Sequence, residues 1–177
     1  MASERTTTKK RWQDVPMPAA LAKRPRDVHG YPITFVTVVE NGRPDFTTVD
    51  GRQVVSCIKG YLCGLCGTSL GVRREAQIAF IGGPSAIEQL AFLDPPMHPE
   101  CAAYAMEVCP HLATPTARYK KQPERPGREV ISIVSADRPD KFGLLTCTDY
   151  EVQLYEGHVI FFISGMVLGV DWQKGVA

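Results

Sequence analysis

Two pairs of metal-binding residue types stand far apart along the chain. Cys63 and Cys66 form a C-x-x-C-G pattern in the stretch YLCGLCGTSLG, and His98 and Cys101 follow in PPMHPECAAYA. The first spacing lets two sulfurs converge in a tight turn, in which the trailing glycine permits a positive φ. The second spacing, i and i+3, places two ligands on one face at the start of a helix. Because thiolate and imidazole are ligands of tetrahedral zinc, the sequence predicts one zinc ion bound by these four residues.

Other interpretations of the same residues stay open at this point. A redox C-x-x-C usually lies at the start of a helix. The stretch after Cys66, Gly-Thr-Ser-Leu-Gly, is not typical of a helix, which disfavours this interpretation. Zinc deaminases combine a ligand histidine with a proton-carrying glutamate as H-x-E, a pattern that His98 and Glu100 also form, but the order of motifs fits those enzymes poorly. Unrelated thiols and a surface histidine are the third alternative. Four good ligands favour a closed structural site, since a catalytic zinc keeps one position for water.

The remaining cysteines are Cys57, Cys109 and Cys147. Free cysteine is among the most buried residue types, so we expect inert core thiols. The sequence Cys109-Pro110-His111 leaves open a second metal site formed by Cys57, Cys109, His111 and Cys147.

Composition limits the class of protein. The chain has 177 residues, 44% hydrophobic and 22% charged, with a formal net charge of +1. These values are ordinary for one globular domain, and the near-neutral charge gives no overall field toward nucleic acid or anionic membranes. The sequence contains neither an apolar run of about 18 residues nor an apolar signal segment at its start. We therefore expect a cytoplasmic protein without a membrane partner, whose six cysteines are thiols or metal ligands.

The charge is unevenly distributed, because residues 1–30 and 118–128 are locally basic. Such segments can bind an acidic protein or, with Tyr119 available for stacking, a nucleic acid. The predicted partner-binding residues are Lys9, Lys10, Arg11, Arg118, Lys120 and Lys121.

The pattern of elements predicts an α+β fold. We divide the chain into an extended, basic and proline-rich tail (1–32), a zinc-binding α+β core (33–112), a basic proline-rich loop (113–128) and a β-meander packed on the core (129–177). Within the core, a cysteine turn, β structure and then ligands at a helix start are the arrangement of a treble-clef zinc site, here flanked by β-hairpins.

Local signals place the individual elements. Asp50 predicts the N-terminal cap of a short helix that Gly60 ends. Pro99 suits the first turn of a second helix, which Pro110 stops. Runs of β-branched and aromatic residues predict strands over 33–39, 45–50, 77–83, 129–136, 142–149, 150–157 and 158–165.

Five stretches stand in a specific order: GYPITFVTVVENGRPDFTTVDG, YLCGLCGTSLG, AFIGGP, PPMHPECAAYAMEVCPHL and VDWQKGVA. Together they resemble a family of small, uncharacterised zinc-binding proteins from bacteria and phages. The resemblance covers most of residues 16–112 and departs from the family pattern at 32–34, at His111, where the family has phenylalanine, and at the chain end. It implies that zinc is bound by Cys63, Cys66, His98 and Cys101, and it implies no activity.

For function, the closed site and the missing catalytic motifs favour a non-enzymatic interaction module that binds a protein or a nucleic acid, such as a phage or mobile-element accessory protein. A metal-dependent nuclease on a treble-clef scaffold is the alternative. Such nucleases place a general-base histidine on the hairpin of the clef, but residues 68–97 contain none. His111 would have to act as the base instead.

Overall fold

The computed structural model describes residues 12–113, 139–155 and 157–173. The α+β class is confirmed. A 3-10 turn over Trp12–Asp14 precedes helices α1 (Ala19–Ala22), α2 (Gly51–Gly60), α3 (Pro84–Gln89), α4 (Pro99–Val108) and α5 (Pro110–Ala113). The strands are β1 (Thr37–Glu40), β2 (Arg43–Val49), β3 (Ile78–Gly82), β4 (Ala91–Phe92), β5 (Gly143–Cys147), β6 (Tyr150–Tyr155), β7 (His158–Ile163) and β8 (Val167–Trp172).

The predicted first hairpin is confirmed, but its first strand starts later than expected. β1 and β2 pair antiparallel across a tight turn in which Asn41 and Gly42 both have positive φ, 52° and 75°. Strand pairing stops before Thr37. The carbonyl of Val36 still accepts from the N–H of Asp50 at 2.8 Å, but the N–H groups of Phe35 and Val36 donate to the cysteine turn. The N–H of Phe35 donates to the carbonyl of Leu65 at 2.8 Å, which ties this segment to the cysteine turn.

The helix signals in the sequence act as expected. The Asp50 side chain accepts a hydrogen bond from the N–H of Arg52 at 2.9 Å and so caps α2. α2 ends at Gly60, although the left-handed residue that follows its end is Tyr61. α4 begins at Pro99 and ends before Pro110, where the short helix α5 begins.

The last strands form one long, bent hairpin. β5 pairs with β8 from Gly143 opposite Trp172, and β6 pairs with β7 as far as Tyr155 opposite His158. The consecutive strands β5 and β6 therefore share one arm instead of pairing with each other, as a simple meander would require. β3 lies beside β5 and β4 beside β7, which gives two three-stranded sheets, β3-β5-β8 and β4-β7-β6. The strand predicted over 129–136 lies outside the described residues.

An aromatic cluster fills the space between these sheets. Phe80 stacks on Phe92 with ring centroids 4.9 Å apart and meets Tyr150 edge to face at 6.0 Å. Phe161 lies 6.2 Å from Phe80, and all four side chains are buried. Leu21 is also buried, so the N-terminal segment packs on the body of the fold from its first helix onward. Among the described residues, no helix is long and apolar enough to cross a membrane.

A buried carboxylate stabilises the bend of the long hairpin. Asp149, only 5% exposed, accepts hydrogen bonds from Nε of Arg73 at 2.8 Å and from Nε of Arg74 at 3.0 Å. The N–H of Tyr150 donates to the same carboxylate at 2.9 Å. Burial alone would raise the pKa of Asp149, but the hydrogen bonds from Arg74, Tyr150 and Arg73 outweigh that effect and lower the pKa.

We expect Asp149→Asn to lower the free energy of unfolding by about 1–3 kcal/mol at neutral pH, the usual cost of losing charged hydrogen bonds at a buried group. Because the folded pKa lies below the unfolded value of 3.8, the contribution is fully present above that pH. It is lost as pH falls through the lower, folded pKa. Denaturant unfolding of both proteins across the acid range measures this, and a difference in stability that persists at the lowest pH would contradict it.

Candidate metal centre

The structure brings Cys63, Cys66, His98 and Cys101 together. Their ligand atoms all lie within 4.8 Å of one another. Nδ1 of His98 is 3.4 Å from Sγ of Cys66 and 4.0 Å from Sγ of Cys101. A tetrahedral ion with bonds of ~2.0–2.3 Å needs ligand separations of ~3.5–3.8 Å, so small adjustments would place all four atoms around one metal ion.

The first two ligands are held by a tight turn between α2 and β3. The N–H of Cys63 donates to the carbonyl of Thr68, and the N–H of Gly67 donates to the carbonyl of Cys63, both at 2.8 Å. Gly67 has a φ of 77°, and a Cβ there would lie 2.6 Å from the ring of Phe35. The glycine is thus required both by the turn and by the close approach of Phe35.

The other two ligands come from the start of α4. His98 is the N-cap residue of that helix, and Cys101 lies in its first turn. The preceding residue, Met97, forms an isolated antiparallel bridge with Ala79 of β3, with hydrogen bonds of 2.8 and 2.9 Å. The N–H of Gly64 donates to the carbonyl of Pro96 at 2.9 Å, which joins the cysteine turn directly to the segment leading into α4.

The histidine is oriented by a backbone carbonyl. Nε2 of His98 lies 2.9 Å from the carbonyl oxygen of Ser69. A carbonyl can only accept, so Nε2 carries a hydrogen and Nδ1 is the ring nitrogen left to bind a metal ion. A hydrogen bond from the second ring nitrogen is the usual companion of a metal-bound imidazole, because it fixes the tautomer and the ring orientation.

The three sulfurs are withdrawn from solvent, while the imidazole is half-buried. Hydrogen bonds with Cys101 and Cys63 lower the pKa of Cys66, while those with Cys63 and Cys66 raise the pKa of Cys101. Hydrogen bonds to Cys63 and Cys66 also raise the pKa of His98 to about 11. The four groups thus share protons through these hydrogen bonds, and a divalent cation that binds there would displace the protons.

One residue near the site was not anticipated from the sequence. Nε of Arg24 donates to the carbonyl of Ile33 at 2.9 Å, and its guanidinium lies 5.6 Å from the ring centroid of Phe35. Burial lowers the pKa of Arg24, whereas the charge of Cys66 opposes that effect. Three thiolates and a neutral imidazole around a divalent ion carry a net charge of −1, so a nearby cation stabilises the loaded site. No spacing rule singles out this arginine among its basic neighbours.

The remaining candidates lie elsewhere. Cys57 and Cys147 are fully buried, and burial raises the pKa of each thiol to about 12, as expected of inert core cysteines. Cys109 and His111 lie at and just after the end of α4. Within the described residues, the Cys63, Cys66, His98 and Cys101 group is the one cluster of three or more such side chains close enough to share an ion. The predicted partner-binding residues lie outside the described residues: Lys9, Lys10, Arg11, Arg118, Lys120 and Lys121.

No protein-family model, curated protein or solved structure matches this chain. The site is a closed group of three thiols and one oriented imidazole that could hold a metal ion.

Proposed function

We propose that the chain is a zinc-stabilised interaction module without catalytic activity. The observation that carries this proposal is the convergence of Cys63, Cys66, His98 and Cys101, whose ligand atoms lie within 4.8 Å of one another. Three thiolates with one imidazole are a typical structural zinc set, and soft sulfur ligands disfavour Mg²⁺ and Ca²⁺. The bound zinc would link the cysteine turn rigidly to the start of α4 through two ligands from each.

The burial of the ligands supports a structural role for the metal. Four protein ligands complete a tetrahedron, whereas catalytic zinc keeps a position for water or substrate. The sulfurs of Cys63 and Cys101 belong to residues without solvent exposure, so a substrate has no direct approach to the ion from their side. The order of turn, β3 and α4 supports the treble-clef description, which we retain as part of this proposal.

Exposed apolar side chains support a role in binding. Leu154 on β6 is 75% exposed, and Met166 before β8 is 68% exposed. Within the described residues, β6 and β8 each pair on one side only, and such edges are available for contacts with another chain. Together with the basic segments predicted from the sequence, these features favour a protein or nucleic-acid partner. The resemblance to bacterial and phage proteins favours an accessory role in a phage or mobile element.

The class of partner can be tested by salt dependence. Metal-loaded protein is titrated into fluorescently labelled single-stranded DNA, double-stranded DNA and RNA, and binding is followed by anisotropy at several salt concentrations. Nucleic-acid binding through the basic segments should weaken steeply with salt, with a slope set by the number of phosphates neutralised. No binding at the lowest salt would remove nucleic acid as a partner.

A matched set of variants completes this experiment. Replacing Lys9, Lys10 and Arg11, or Arg118, Lys120 and Lys121, by glutamine should reduce the salt slope, while Leu154→Ser should leave it unchanged. Co-purification from the native host, with the two glutamine variants and Leu154→Ser in parallel, identifies a protein partner. If the native protein and all three variants retain the same proteins, neither surface takes part in recognition and the proposed interaction role is wrong.

A further inference from the structure

A largely apolar cavity lies beside the metal centre and separate from it. It has a volume of about 270 Å³, is partly open to solvent, and is lined by residues of the N-terminal segment, β2, the cysteine turn and α4. Its apolar walls include Leu21, Tyr31, Phe46, Leu65 and Val108. Ligand cavities in proteins usually have volumes of roughly 300–1,000 Å³, so this cavity suits a small organic molecule of about one ring.

One polar group of the cavity wall has no partner among the described residues. Tyr104, on α4, is 5% exposed, and its hydroxyl forms no hydrogen bond with residues 12–113, 139–155 or 157–173. Buried hydroxyls are nearly always hydrogen-bonded, because an unsatisfied one costs free energy. The hydroxyl is therefore available to donate to an acceptor brought by a ligand.

The same tyrosine also lines a second cavity, whose wall includes the positively charged side chain of Arg26. This neighbouring cavity, of about 650 Å³, is lined by Trp12, Arg26, His29 and Tyr104. Arg26 donates to the carbonyl of Gly30 at 3.0 Å and, within the described residues, forms no ion pair. Because Arg26 and Tyr104 line the same cavity, one ligand bound there can contact both side chains. Burial raises the pKa of Tyr104, and the charge of Arg26 opposes that rise.

Each cavity has one acidic side chain in its wall, Asp14 in the second and Asp27 in the first. Asp27 lines the first cavity, and its Oδ1 accepts hydrogen bonds from the N–H groups of His29 at 3.0 Å and Tyr31 at 2.8 Å. This carboxylate therefore shapes the turn before Tyr31. An uncharged apolar ligand would leave the hydroxyl of Tyr104 unsatisfied, whereas a carboxylate would accept from it and pair with Arg26.

We propose that the paired cavities bind a small monocarboxylate with an apolar body. The body occupies the apolar cavity, and the carboxylate lies at the junction, where it accepts a hydrogen bond from Tyr104 and faces Arg26. This binding site is independent of the macromolecular interaction proposed above.

Benzoate is a suitable probe, and Trp12 is a built-in reporter. Trp12 stacks on Tyr31 with ring centroids 4.3 Å apart and lines the second cavity. The chain has two tryptophans, so Trp172→Phe leaves Trp12 as the single emitter. Titration of this variant with benzoate should give a saturable change in emission, and benzyl alcohol, of similar size but uncharged, should bind about tenfold more weakly.

Variants of the wall separate specific binding from a general effect. Tyr104→Phe, in the Trp172→Phe background, should weaken benzoate binding by about tenfold while leaving benzyl alcohol less affected. Ala105→Phe should fill the cavity and abolish binding of both. Tyr155→Phe, at an exposed tyrosine, is the matched control and should change nothing.

Thermal unfolding of each variant shows that the fold is kept. A variant that fails to fold is replaced by Arg26→Gln, which should weaken benzoate binding alone. A linear, non-saturable response to benzoate overturns the proposal. Equal affinity of the parent and Tyr104→Phe, or of the parent and Arg26→Gln, also overturns it.

Discussion

Cys101→Ser is expected to abolish metal binding and to destabilise the protein strongly. Its sulfur is fully buried among the other ligands, and serine is a poor substitute for thiolate at a zinc ion. Binding of structural zinc contributes on the order of 10 kcal/mol in small zinc domains. Because this chain also has an aromatic core, we expect a loss of more than about 4 kcal/mol, which lowers the melting temperature by ~8–16 °C.

The measurement combines metal analysis with thermal unfolding. The native protein should contain one zinc per chain and the variant almost none, and a chelator should lower the melting temperature of the native protein toward that of the variant. Cys109→Ser is the matched control, since Cys109 is a partly exposed thiol outside the cluster and should keep its metal. Native protein that contains no metal after purification without chelators would refute the zinc assignment.

Phe80→Ala should lower the free energy of unfolding by about 3–5 kcal/mol, the usual cost of deleting a buried phenylalanine ring. Phe80 has no solvent exposure, and its ring contacts those of Phe92, Tyr150 and Phe161. The substitution removes shared contacts between both sheets and leaves a cavity that they can close only in part. Denaturant unfolding with excess zinc measures this loss without interference from the metal site.

Leu154→Ala provides the comparison for Phe80→Ala. Leu154 is equally apolar but largely exposed, so its truncation should change the free energy of unfolding by less than about 0.5 kcal/mol. Similar losses for the two variants would mean that the aromatic cluster is not the core of the fold.

The metal ligands could be predicted because each pair obeys a short-range rule. C-x-x-C-G determines a turn within five residues, and Pro99 in the first turn, with Pro110 beyond the end, marks the limits of α4. The cap of α2 by Asp50 and the turn before β7 at Gly157, with a φ of 78°, follow from rules of the same kind. In each case the information lies within one turn of chain.

The pairing of distant strands could not be predicted in the same way. β5 lies between β3 and β8. This strand order depends on tertiary packing and cannot be deduced from the β5 sequence, GLLTC. β8 was missed because its VLGVDW sequence contains glycine and aspartate, which are depleted in strands. Arg24 and Tyr104 acquire their roles only from neighbours that are remote in sequence, so no local pattern identifies them.

The separation of the ligand pairs has a consequence for the unfolded chain. Cys63 and His98 are 35 positions apart, so a bound ion closes a large loop that contains β3, α3 and β4. In the chain-entropy model used for disulfides, a cross-link of this span that persists in the unfolded state lowers the conformational entropy of the unfolded chain. The corresponding gain in folding free energy is about 4 kcal/mol. This restriction depends on loop length and not on the chemistry of the ion, so a metal substituted for zinc with the same four ligands would restrict the chain equally.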